Sequence, residues 1–439
     1  MTPVAAAQIQ AYRASILYFT GDPSLDANAC VWHQDGMLLI ENGLVRAVGD
    51  ADRLLPSLPP DVKVIEYRGK IICPGFIDTH VHFCQTDIIA SPAPGLLPWL
   101  ETYTFPAEAK FVDPVHGAEV AKFFLDQLLS CGTTSAMVYC TVHPASVEAF
   151  FTASESRNMR MVAGKVLMDR NCPEYLRDTA EQGIRDSEAL IKTWHGRGRQ
   201  SYAITPRFAP TSSPAQLQLA GELAQQHPTT FIQSHLAENV DEIAWVKSLF
   251  PHARSYLDVY EKVGLLRERA MYGHCIWLDH ADRTRMAHTG AAVAMCPTSN
   301  LFLGSGLFDI AAADRARMML SLATDVGGGT SMSMLQTMDA MVKVARLTGH
   351  TLSAQRLFYL ATLGGARAMC LDGTIGSLSV GAEADFIVLD PMATPLLARR
   401  TAQSASLEEL LFTLAILGDD RAVLATYIAG ALKFSRART

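Results

Sequence analysis

Short apolar, β-branched runs that end in polar or ionisable residues, each followed by a longer amphipathic stretch, recur between about residue 70 and residue 330. The runs are Ile71–Asp78, Thr133–Tyr139, Arg160–Met168, Tyr202–Phe208, Thr230–His235, Ala270–Cys275, Ala291–Cys296 and Met318–Asp325. Strands alternating with helices predict a parallel sheet. Eight of them is the number that closes an α/β fold of the (β/α)8, TIM-like type. The flanks read differently. Ala14–Phe19, Gly36–Ile40 and Leu44–Gly49 are short strands, with Asn42-Gly43 supplying the positive-φ pair of a tight hairpin. At the far end Ala384–Asp390 and Ala425–Lys433 are again strand-like, with a turn glycine at Gly430. Unpaired strand edges are a hazard, so the two ends are expected to form one composite β-sandwich domain, from residues 1–70 and 375–439, around a barrel at 71–374.

Composition narrows the partners. With 439 residues, 49% of them hydrophobic and 18% charged, the chain has the material for a large core, which excludes disordered and collagen-like classes. A net charge of −7 leaves no basic footprint, so no nucleic-acid partner is expected. The first thirty residues carry Gln8, Gln10, Arg13, Asp22 and Asp26 and lack the apolar core of a secretory signal. No segment reaches the roughly 18 apolar residues needed to cross a bilayer, so no membrane partner is expected either. The nine cysteines include no Cys-x-x-Cys pair. That usage suits reduced thiols in the cytoplasm better than a disulfide framework or a thiolate zinc site.

The strongest chemical signal is Asp78-Thr79-His80-Val81-His82. Residues two apart on a strand project from one face, so His80 and His82 can share an ion in the barrel mouth. An isolated His-x-His is equally what two ordinary histidines near a strand end look like. Here, however, His235, His274 and Asp325 each end another run, where catalytic groups of such barrels collect. Imidazoles and one carboxylate converging there suit a divalent metal such as zinc, with a position left for water. Glu238, three residues beyond His235, is placed to move protons without being a ligand. Asp325-Val326-Gly327-Gly328-Gly329-Thr330 lacks the Lys-Ser/Thr ending of a phosphate loop, and no Gly-x-Ser-x-Gly elbow supports a serine nucleophile.

With His80-x-His82, His235, His274 and Asp325 in this order, the chain resembles the amidohydrolase superfamily over nearly its full length, including a closing segment at Gly376–Asp390. The resemblance implies a metal-dependent barrel. The bridging lysine of binuclear members is missing from the fourth run, while Lys165 lies in the third. Four stretches, His80–Asp87, Leu97–Glu108, Pro206-Arg207-Phe208 and Gln233–Glu238, resemble the guanine deaminase family more closely. That resemblance implies hydrolysis of guanine to xanthine by a cytoplasmic homodimer with one zinc per chain. His80, His82, His235 and Asp325 would hold the metal, Asp325 would take the proton of the attacking water, His274 would stabilise the attacking oxygen, and Glu238 would shuttle a proton. Gln85, Arg207 and Phe208 would recognise the purine through amide, guanidinium fork and ring face, with His82 and His235 counted among the substrate contacts. Trp99 and the Leu96–Pro106 stretch are expected to close over the ligand. Cys84 stands where the family leads one to expect proline, and a thiol so near the metal motif is a candidate for oxidation. Two other readings remain open from sequence: a deaminase of another amino-heterocycle such as 8-oxoguanine, a pterin or an s-triazine, and a silent barrel that only binds.

Overall fold

The computed structural model describes residues 9–437; Met1–Gln8 and Arg438–Thr439, which the expected terminal domain and the reading of the first thirty residues include, lie outside the described residues. In chain order the strands are β1 (Gln10–Phe19), β2 (Cys30–Glu41), β3 (Leu44–Asp50), β4 (Val64–Pro74), β5 (Phe76–His82), β6 (Thr133–Tyr139), β7 (Arg160–Gly164), β8 (Val166–Leu167), β9 (Gln200–Pro206), β10 (Phe231–Leu236), β11 (Ala270–His274), β12 (Ala292–Met295), β13 (Met319–Leu322), β14 (Phe386–Leu389), β15 (Val423–Ile428) and β16 (Ala431–Ser435).

Strands β5 to β13 form the parallel barrel, in the order β13-β12-β11-β10-β9-β7-β6-β5, with β8 paired to β9. β5 and β6 are buried along their whole length, as expected where helices cover one face and the barrel interior the other. β13 and β5 close the ring through side chains and loop backbone. Thr79 Oγ1 meets Ser321 Oγ at 2.7 Å, and Thr324 N–H donates to Asp78 Oδ1 at 3.0 Å. Beyond them, Asp325 N–H donates to the His80 carbonyl at 2.9 Å and His82 N–H to that of Val326 at 2.7 Å.

The remaining seven strands form one sheet, β16-β15-β14-β4-β1-β2-β3. The expected sandwich therefore takes the form of a single sheet curled back on itself: Val45 N–H donates to the Ala382 carbonyl and Gly381 N–H to that of Val45. Its inner face encloses Tyr12, Ile16, Leu38, Ile40, Ile72, Phe386, Val388 and Tyr427. The Asn42-Gly43 hairpin forms as expected, with φ of 55° and 78°.

Two runs divide in the structure. Ile71–Asp78 is not one barrel strand: Ile71–Pro74 ends β4 of the curled sheet, and the barrel strand begins at Phe76, so His80 and His82 lie on β5 itself. Gly75 N–H donates to Asp385 at the crossing point. Arg160–Met168 breaks at Lys165, between β7 and β8. A partly buried charge cluster joins barrel and sheet, with Arg160 and Arg199 both paired to Glu383 and Arg199 also paired to the buried Asp385. No helix among the described residues is long and apolar enough to cross a membrane.

Candidate active site

The C-terminal ends of the barrel strands bring the predicted residues together. His80 and His82 come from β5, His235 from β10, His274 from the end of β11, and Asp325 from the loop after β13. His80 Nε2 and His82 Nε2 are 3.3 Å apart, as are His82 Nε2 and His235 Nε2. Asp325 Oδ1 lies 3.2 Å from His80 Nε2 and 3.4 Å from His82 Nε2. A tetrahedral set of nitrogen and oxygen ligands at bonds of about 2.0–2.1 Å has edges of about 3.3–3.4 Å. These four pairs therefore already stand at the spacing that one zinc-sized cation requires, and all four donors lie within 4.8 Å of one another.

Their electrostatics suit that use. Burial holds His80, His82 and His235 below the ordinary imidazole range, His82 to about 4, which keeps lone pairs free at neutral pH. His235 is oriented by its Nδ1, which donates to the Arg207 carbonyl at 2.6 Å and leaves Nε2 facing the group. Burial pushes the Asp325 carboxyl up, but the neighbouring His80 and His82 outweigh it and hold Asp325 well below the usual carboxylate range. The backbone is bent to make this rim. Ala237, His274, Cys275 and Asp325 have φ of 50°, 68°, 52° and 51°, a conformation costly for residues other than glycine; the N–H of Asp325 is held by the His80 carbonyl and that of Cys275 by the Leu236 carbonyl. Gly273 leaves room for His80, whose ring a Cβ there would meet at 2.6 Å.

Glu238 is buried beside this group without belonging to it. Its Oε1 accepts from Ser305 Oγ at 2.7 Å, and its Oε2 lies 3.3 Å from His274 Nε2. Burial, and then the Asp325 charge, raise its pKa to about 8. His274 Nδ1 donates to Asn300 Oδ1 at 2.8 Å, and its Nε2 stands between Glu238 Oε2 and Asp325 Oδ2, the latter 3.7 Å away.

A cavity opens over these groups. Gln85, Leu96, Trp99, Leu100, Arg207, Phe208 and Leu303 line it together with His82, His235, Glu238, His274 and Asp325. All the predicted metal and catalytic residues and all three predicted purine contacts therefore meet at one place, and Leu96, Trp99 and Leu100 of the expected cover form part of its wall. Phe208 belongs to an apolar cluster with these residues and packs edge-on against Trp245.

One expectation resolves differently. The Cys84 thiol is buried, points to the Tyr139 and Cys140 carbonyls, and is pushed well above its ordinary pKa. It is thus a structural thiol and not an oxidation-prone one. The Lys165 amine pairs with Asp178 and donates to the Val166 carbonyl at 3.3 Å, so it is engaged in a structural ion pair. Reasoning from sequence missed Glu108, which accepts from both Gln85 and Arg207, and missed Ser305 and Asn300 behind the catalytic pair. Glu108 ends one of the stretches that carried the family resemblance, which was the available signal. Ser305 and Asn300 offered none.

A profile of the amidohydrolase family matches residues 71–433. The guanine deaminase of Escherichia coli (strain K12) is 46% identical over 431 residues, covering 98% of this chain and 98% of that one. A solved structure of E. coli guanine deaminase matches with a TM-score of 0.94 at 45% identity, covering 98% of this chain and 100% of that chain. The guanine deaminase from C. acetobutylicum, solved with guanine bound in its active site, matches with a TM-score of 0.87 at 27% identity, covering 97% of this chain and 100% of that chain.

Proposed function

The chain belongs to the amidohydrolase family, and from that premise we infer that it catalyses the hydrolytic deamination of guanine to xanthine and ammonia. The observation that carries this reading is the convergence of three imidazoles and Asp325 within 4.8 Å of one another, with Glu238 beside them, under a cavity lined by Gln85, Arg207 and Phe208.

His80, His82, His235 and Asp325 would hold one zinc ion; their nitrogen and oxygen donors favour that assignment and also accept related divalent metals. When bound, such a cation supplies a water acidic enough to lose a proton near neutral pH. Asp325 Oδ2, directed toward His274 Nε2, accepts that proton. Gln85 and Arg207 hold the purine by its polar edge, and Phe208 offers a ring face, so that C2 is presented to the attacking oxygen. A C2–O bond forms as the C2=N π pair moves onto the ring nitrogen, making C2 tetrahedral. Glu238, kept protonated at neutral pH by burial, delivers its proton to the ring nitrogen next to C2. The Glu238 carboxylate then takes the remaining proton of the added oxygen and passes it to the amine, so that the C2–N bond breaks as the C2=O bond forms and ammonia leaves more easily than amide ion would, while the proton held by Asp325 restores Glu238. His274 Nε2, held between Glu238 and Asp325 with Nδ1 anchored on Asn300, faces the oxygen that becomes the xanthine carbonyl. A homodimer acting in the cytoplasm is part of the same reading, supported by the family kinship and by nine free thiols.

The test is a spectrophotometric assay of purified, metal-analysed protein with guanine, run beside 8-oxoguanine, adenine, a pterin and an s-triazine. Turnover to xanthine with about one metal per chain is expected. Metal without guanine turnover, or far faster turnover of another member of the panel, would refute the assignment.

A further inference from the structure

Glu108 takes no part in the reaction as set out above, yet the two polar side chains assigned to the purine both terminate on it. It is fully buried. Its Oε1 accepts from Gln85 Nε2 at 3.0 Å, and both of its oxygens accept from Arg207 Nη1 at 2.8 Å. The far end of the Gln85 amide is also determined, because Oε1 accepts from Gly327 N–H at 3.2 Å. A carboxylate only accepts and a backbone N–H only donates. Turning the amide over would set oxygen against oxygen at Glu108 and N–H against N–H at Gly327, leaving buried polar groups unpaired. Arg207 is constrained in the same way. Nη1 is engaged by Glu108, while Nε and Nη2 have no protein partner among the described residues, on a side chain that lines the cavity. What remains for a ligand is an Nε2 proton of Gln85 and the free guanidinium protons of Arg207.

We propose that Glu108 is a positioning residue that locks Gln85 and Arg207 into a donor-only edge, and that this edge selects a purine bearing a carbonyl oxygen, as at C6 of guanine, over one bearing hydrogen or an amine there. The proposal rests on the guanine reading of the site. Sites built to hydrogen-bond one group discriminate strongly against analogues lacking it, because their buried polar atoms are then left unpaired. Without the carboxylate, the amide of Gln85 loses one of its two fixed ends and the Arg207 fork loses its anchor.

The experiment compares wild type and E108Q, loaded with the same cation, using guanine as substrate and 2-aminopurine as competing ligand. The latter keeps the C2 amine and lacks the carbonyl. In E108Q the guanine KM is expected to rise at least about tenfold with kcat within about threefold, while the Ki of 2-aminopurine stays within about threefold of wild type. The preference for the carbonyl thus drops about tenfold. E108D keeps the charge one methylene short, so it gives an intermediate loss and carries the test if E108Q does not fold, as judged by circular dichroism and metal content. An unchanged preference in whichever variant folds overturns the proposal, as does a loss confined to kcat. Absence of guanine turnover in the wild type overturns the assigned reaction itself, and is distinguishable because it precedes any substitution.

Discussion

Replacing Glu238 by glutamine isolates the proton-transfer claim. Glutamine keeps the volume, and its amide oxygen can still accept from Ser305 Oγ, which stands 2.7 Å from the native Oε1. The lost feature is the transferable proton beside His274 Nε2, 3.3 Å away. A positioned general acid contributes about 10²- to 10⁴-fold, so the barrier should rise by about 3–5 kcal/mol. Because Gln85, Arg207 and Phe208 are untouched, KM should move by less than about threefold. Metal content should be unchanged, since Glu238 lies outside the ligand group. The assay is steady-state guanine turnover across pH with metal analysis of each preparation. Glu238 titrates near 8 and must be protonated to act, so activity is present below that value and lost as pH rises through it; a bound cation moves this limb lower. The limb should vanish in E238Q. Stability has the same sign. A carboxyl raised from 4.5 to about 8 contributes stability fully below 4.5 and loses it as pH rises through about 8, so the metal-free variant should outlast metal-free wild type at pH 9 and match it at pH 4. A kcat within tenfold of wild type would refute the role given to Glu238.

Arg207→Ala should raise the guanine KM by about 10- to 100-fold through loss of the hydrogen-bonding fork, and an unchanged KM in steady-state assays would place Arg207 outside the purine contacts. Chelation should abolish turnover and lower the melting temperature. Zinc at about a thousand times its Kd should return about 4 kcal/mol of stability, checked by calorimetry with and without metal. Arg199→Ala, which leaves the buried Asp385 without its cation while Glu383 keeps Arg160, should cost about 3–5 kcal/mol in chemical unfolding while leaving the guanine KM unchanged. A shift in KM would mean that this junction reaches the site.

The barrel and its metal group were legible because their signals are local. His80 and His82 share a face through the two-residue period of a strand, and His235, His274 and Asp325 each close an apolar run that the barrel topology carries to one rim. The approach of four donor pairs to 3.2–3.4 Å was not legible, since it depends on how β13 closes against β5 through Thr79, Ser321, Asp78 and Thr324. The same holds for the break at Gly75, where two apolar runs read as one strand until Asp385, more than three hundred residues away in sequence, supplies a hydrogen-bond partner. Glu108 is the clearest case. In sequence it is one glutamate in a winding segment, and its meaning arises only when packing removes it from water and gives it Gln85 and Arg207 as partners. Periodicity and residue type specify which face a side chain takes and what it can ligate. Burial, amide orientation and the pKa of Glu238 are properties of neighbours brought together from distant parts of the chain, so they exist only once the tertiary structure has excluded water from between them.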